Sequence, residues 1–157
     1  MDQQHTKKNI WLQIGGLFSL AFSIFQIGGI FLPPGAIVYF GGPAKLQAEH
    51  PGLFALLCIV LGVIIALFGI YALSGAGKFR RLPFLRTVLV AVTAIYILRG
   101  LYVIPIIHIM LSFPERDVGR FLIFSLIALC IGIIHLIGLI HLFKYGRVID
   151  GKERTRQ

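Results

Sequence analysis

Arg99 is an arginine where an arginine is expensive. It lies twelve residues from either end of an otherwise uncharged stretch, 87–111. If that stretch crosses a bilayer, the guanidinium starts near the midplane. Its cost there is about 2.5–3.5 kcal/mol on insertion scales and about 10–17 kcal/mol in simulations of a lone helix. Arginine cannot shed its proton to escape. It needs a carboxylate, water, an anionic ligand, or a reach to the interface. Tyr96 and Tyr102 flank it at i−3 and i+3, so the three fall within an arc of about 120°. His135, in another apolar stretch, is the one mid-depth group that ordinarily titrates near neutral pH. In a third stretch Ser19, Ser23 and Gln26 sit at i, i+4 and i+7 and share a face. Side chains lean toward their helix N-termini, so Arg99 and His135, about 18 and 12 Å above the inner end, lean toward each other. The expected site is a buried polar cluster of Arg99, Tyr96, Tyr102, Ser23, Gln26 and His135.

The chain offers that arginine no buried anion. Its six acidic residues are Asp2, Glu49, Glu115, Asp117, Asp150 and Glu153, all outside the apolar stretches. Proton-coupled exporters and cation pumps use a membrane-embedded carboxylate as relay, so those classes are disfavoured. Three readings fit. In the first the cluster is structural, with Arg99 held by neutral polar groups and by carbonyls freed near Pro105. In the second Arg99 serves the binding or transport of an anionic or lipid-like ligand. In the third Arg99 works with Tyr102 or His135 in a membrane-embedded enzyme. Arg99-Gly-Leu-Tyr102 is similar to the R-x-x-Y spacing of membrane glutathione-dependent enzymes of comparable length and helix number. The resemblance covers two residues, and that family's charged motif in helix two has no counterpart in the uncharged Leu53–Ser74.

Other chemistries are weaker. Cys58 and Cys130 lie inside apolar stretches without a C-x-x-C, so they read as apolar thiols rather than a disulfide or redox pair. His108, His135 and His141 do not match in depth, which disfavours bis-histidine haem. Glu49, His50, His108, Glu115 and Asp117 could approach one another on one face, but read as solvated loop charge rather than a metal site. Gly77-Lys78 resembles the end of a phosphate loop, yet Ala72 stands where its first glycine belongs and Phe79 where Ser or Thr does. No cofactor or metal is expected.

The elements that must position these residues are four apolar spans, Ile10–Leu32, Leu53–Ser74, Thr87–Leu111 and Phe121–Phe143. Each exceeds the roughly 20 residues a transmembrane helix needs. The hydrophobic fraction is 57% in 157 residues, more than a soluble domain of this size can hide. The expected fold is all-α, a single integral-membrane four-helix transmembrane bundle over 1–157, with outer loops 33–52 and 112–120 and an inner loop 75–86. The apolar run from Ile10 is too long for a cleaved signal core, so it reads as a retained first helix. Pro105 should kink the third helix.

The net charge is +9, but its placement argues against nucleic acid. Eleven Lys and Arg, at positions 7, 8, 78, 80, 81, 86, 144, 147, 152, 154 and 156, fall on one side; only Lys45, Arg116 and Arg120 fall on the other. The basic side is cytoplasmic by the positive-inside rule, which places both termini inside; size and compactness favour a bacterial cell (inner) membrane as the setting. Lys78, Arg80, Arg81 and Arg86 are expected to contact lipid headgroups. Gly62, Ala66 and Gly69, with Cys58 above them, make a small-residue stripe for helix packing, and Gly132 offers another close approach. The stripe could serve packing within one chain or against a membrane-protein partner or second copy. Val38, Tyr39 and Phe40 form an apolar patch that lies at the outer interface or covers the bundle mouth. The functional expectation is a small accessory, scaffold or interaction protein of the membrane, with lipids as its neighbours, rather than an enzyme.

Overall fold

Proline, glycine and one asparagine set the helix ends. A computed structural model describes residues 9–78, 82–113 and 118–154, with side chains through Lys144. The first helix, α1, is Ile10–Gly28, extended by a 3-10 turn over Gly29–Phe31. Asn9 caps it: its side-chain oxygen accepts from the Leu12 N–H at 3.3 Å, and its amide donates to the Gly138 carbonyl at 2.7 Å. One buried side chain thus satisfies an orphan helix donor and ties the start of the chain to the last helix. Pro33 and Pro34 end the first span, and two short helices follow, α2 (Pro34–Tyr39) and α3 (Ala44–Glu49). The remaining helices are α4 (Pro51–Gly75), α5 (Leu85–Leu101), α6 (Val103–Ser112) and α7 (Gly119–Arg154). Among the described residues there is no strand.

Two predicted features take a specific form. Pro105 has no N–H for the Leu101 carbonyl, and the third span breaks at Tyr102 into α5 and α6. Gly77 is not part of a phosphate loop. It sits at φ +78° just past α4, with its N–H on the Ser74 carbonyl and the Lys78 N–H on the Leu73 carbonyl at 3.0 Å. This reversal ends a helix, and the left-handed backbone favours glycine.

Four helical segments are long and apolar enough to cross a bilayer: Ile10–Phe31, Pro51–Gly75, Leu85–Ser112 and Gly119–Lys144. They match the four apolar spans to within two residues at each end. The surface agrees with that composition. Phe31 (86%), Ile24 (74%) and Leu98 (67%) are among many large apolar side chains left bare. A water-soluble protein would bury such a girdle, and hydrocarbon accepts it.

The spans pack in chain order. α1 lies along α4 and α5 along α7, while α1 also meets α7 and α4 meets α5. At the end where α1 begins, Leu12, Ala72, Ala76, Leu89 and Leu139 form a closed core. At the other end Ile37, Phe54 and Cys58 form a second core roofed by α2 and α3. The latter is the loop end below. Residues 33–52 do not simply lie to one side. Phe40 reaches into the gap between α1 and α7, 5.0 Å from the Phe25 ring and 5.7 Å from the Phe124 ring.

Glycine makes the α1–α4 contact close. A Cβ on Gly16 would lie 2.9 Å from the Gly69 carbonyl oxygen, and a Cβ on Gly69 would lie 2.9 Å from that of Gly16. Gly62 faces Ile27 on the same side of α4, and the Ser23 hydroxyl donates to the Gly62 carbonyl at 2.7 Å. Gly62 and Gly69 are thus occupied within the chain, with Ala66 half-buried between them. Gly132 admits the α5 backbone, its would-be Cβ 3.0 Å from the Ile97 nitrogen.

Candidate functional site

The polar residues of the spans separate into two groups, not the single cluster expected. The first lies at the bundle centre. The Tyr96 hydroxyl on α5 and the Ser19 hydroxyl on α1 share a hydrogen bond of 2.9 Å across the diagonal of the bundle. The His135 ring on α7 stacks on Tyr96, with centroids 5.3 Å apart and planes at 28°. His135 is fully buried. Its Nδ1 lies 2.9 Å from the Ile131 carbonyl, which makes Nδ1 the donor, and its buried Nε2 has no hydrogen-bond partner among the described residues. Glycine again provides the room: a Cβ on Gly15 would lie 2.6 Å from the His135 ring.

Arg99 belongs to the second group, on the flank of the bundle. Gly100 faces Leu129 and Ile97 faces Gly132, so in this antiparallel register Ser125 stands level with about residue 104. The Arg99 guanidinium nevertheless approaches the Ser125 hydroxyl, with Nη1 at 3.5 Å. It therefore climbs about 7 Å toward the loop end, at about 1.5 Å per residue. That is opposite to the lean toward His135 expected from the helix direction. Arginine's long stem overrides the Cβ direction when a polar group lies the other way. The guanidinium also sits 6.0 Å from the Tyr102 ring. Arg99 and Tyr102 are exposed, Tyr102 at 61%, while Ser125 is buried.

The other expected site residues are dispersed. Ser23 is buried but engaged with α4. Gln26 is half-buried. Tyr96 and His135 meet each other, and Arg99 meets Tyr102, but the pairs do not join. Lys78 is exposed, and Arg86 lies 5.6 Å from the Phe143 ring. Arg80 and Arg81 lie outside the described residues, as do Glu115 and Asp117 of the mixed acidic and histidine group. Among the described residues no three His, Cys, Asp or Glu side chains gather as metal ligands would.

Three contributors escaped the sequence reading. Ser19 was placed on the correct face, but only its depth opposite Tyr96 selects it over Ser23. Gly15 carries no signal until a ring is known to lie over it. Ser125 stands seven residues before Gly132, one helical face in two turns, and that spacing was a usable cue. Against known families, curated proteins and solved structures, the chain finds no match.

Proposed function

We propose that this chain is a small accessory or interaction protein of the membrane, which holds an anionic, lipid-like group against Arg99. The observation behind this reading is the placement of Arg99: a permanent cation exposed on the bundle flank, half-way along a candidate span, with Ser125 and Tyr102 beside it. The span Gly119–Lys144 has its middle near Gly132, so Ser125 lies about 10 Å from mid-depth and about 5 Å inside the edge of a 30 Å hydrocarbon core. A guanidinium at that height meets a headgroup drawn slightly inward, and two parallel N–H···O bonds suit a phosphate or carboxylate. The Ser125 hydroxyl adds a neutral partner, and the Tyr102 ring adds a face. Residue types on α4 do not supply the missing anion, since Pro51–Gly75 carries no acidic residue.

The charge bias of the loops orients the molecule, with both termini cytoplasmic and the Arg99 guanidinium in the outer leaflet. A bacterial cell membrane is the setting we favour for such a bundle. A second copy or another membrane protein would approach over the apolar girdle, because the α4 glycine stripe is already covered by α1.

Native mass spectrometry of protein released gently from its own membrane tests the lipid reading. Wild type should carry co-purified anionic phospholipid. Arg99→Gln should carry fewer such lipids per chain, with affinity about tenfold weaker, since a hydrogen bond to a charged group is worth about 1.5–3 kcal/mol. Arg99→Lys should keep part of the binding as a point charge without the fork. Equal lipid retention in wild type and Arg99→Gln would refute the assignment.

A further inference from the structure

On the other side of α7 from Ser125, the structure assigns a second, independent lipid site: a groove for one acyl chain, headed by Arg120 for the anionic headgroup of a phospholipid. The groove measures about 350 Å³ and is walled by Phe18 of α1 and by Ile123, Ile127, Cys130, Ile131 and Ile134 of α7, with almost purely apolar lining. Arg120, Ile123, Ile127, Ile131 and Ile134 fall at i, i+3, i+7, i+11 and i+14. They form one stripe down the helix, with Arg120 at its loop-end tip.

Length and chemistry both fit. Ile123 to Ile134 spans about 16 Å at about 1.5 Å per residue, close to half of a 30 Å hydrocarbon core and so to one leaflet. A chain filling the groove from the interface would end near mid-bilayer. Arg120 is already held for the task. Its guanidinium carbon lies 5.0 Å from the Phe121 ring and 5.8 Å from the Tyr39 ring, and its buried Nε has no hydrogen-bond partner among the described residues. Tyr39 is in turn edge-packed on Phe40 at 5.3 Å, and Phe40 on Phe124. The aromatic scaffold therefore holds the cation at the loop end of α7, one turn before Ile123 at the head of the groove. Aromatic rings lower the cost of holding the charge there, and cannot neutralise it. Because α7 begins at the loop end, the Cβ direction also carries Arg120 toward the headgroups.

Photolabelling tests this in liposomes of phosphatidylcholine containing a trace of phosphatidylglycerol with a diazirine part-way down one acyl chain. Peptide mapping of wild type should concentrate adducts on residues 123–134 and Phe18. Moving the diazirine to phosphatidylcholine should remove most of that enrichment, a comparison that needs no mutation. Arg120→Gln should lower the phosphatidylglycerol signal about tenfold, Ile127→Trp should block the groove, and Arg99→Gln should leave these adducts unchanged. Adducts spread evenly over all exposed faces would overturn the site. Loss in Ile127→Trp with no change in Arg120→Gln, or equal labelling by both lipids, would overturn the headgroup assignment. Loss in Arg99→Gln would overturn the independence of the two sites.

Discussion

Gly69→Leu should destabilise the folded protein by at least about 2 kcal/mol, seen as an early transition when SDS is titrated into mixed micelles. In hydrocarbon, helices gain no hydrophobic driving force from touching, so their association depends on close packing and interhelical hydrogen bonds. The α1–α4 contact depends on glycine on both sides. A Cβ at Gly69 would meet the Gly16 carbonyl oxygen at 2.9 Å and the Leu20 side chain at 2.8 Å. Leu20 can turn aside, but a backbone carbonyl in a helix cannot. Even Gly69→Ala must part the helices by a few tenths of an ångström and strain the Ser23 bond to the Gly62 carbonyl. Gly16→Ala should do similar damage, and the double variant should cost less than the sum, because the first methyl has already opened the crossing. Gly28→Ala is the control. A Cβ there meets nothing within 4 Å, so the change should be neutral or stabilise by up to about 1 kcal/mol. A Gly69→Leu transition coinciding with wild type would mean that this face is not packed against α1.

Gly15→Ala should be nearly as damaging, and its loss should be largely restored by a second change. The new methyl would lie 2.6 Å from His135 Cε1 and 2.7 Å from Nδ1. The ring has no free direction. Tyr96 stacks on it at 5.3 Å, and turning it would break the Nδ1 bond to the Ile131 carbonyl. Overpacking costs about 1–3 kcal/mol, and an orphaned buried polar group about as much again. We expect Gly15→Ala to lose about 2–4 kcal/mol in the same titration. Gly15→Ala with His135→Ala should be more stable than Gly15→Ala alone, because the methyl then enters space the ring has vacated. Simple addition of the two losses would show that Gly15 and His135 are not in contact.

Much of the fold is legible in the residues themselves. Apolar runs of more than 20 residues, in which Arg99 is the sole charge, can be little other than spanning helices, and the structure places their ends within two residues. Gly62, Gly69 and Gly132 announced close approaches, since only glycine admits a neighbouring backbone there. Which helix each would meet was not readable, because a stripe on one helix carries no address. Pro105 announces a kink, and the helix breaks three residues earlier, at Tyr102, next to the Leu101 carbonyl that the proline leaves without its N–H.

The site was harder to read. Tyr96 is singled out by its place beside Arg99 at i−3 and His135 by its depth, and the two meet. Arg99 was joined to them by extrapolating the Cβ direction, which governs where a side chain starts but not where an arginine stem of this length ends. The register between α5 and α7, fixed by Gly100 on Leu129 and Gly132 on Ile97, brings Ser125 within its reach. That register is a tertiary fact without a local signature.

The most direct measurement is the environment of position 99. A spin label introduced by Arg99→Cys, with Cys58 and Cys130 replaced by alanine, can be power-saturated in liposomes. A lipid-facing flank predicts strong relaxation by oxygen, which concentrates in hydrocarbon, and weak relaxation by a water-soluble nickel chelate. A label shielded from both, as inside a packed core, or one reached freely by the chelate, would contradict the placement of Arg99 against lipid.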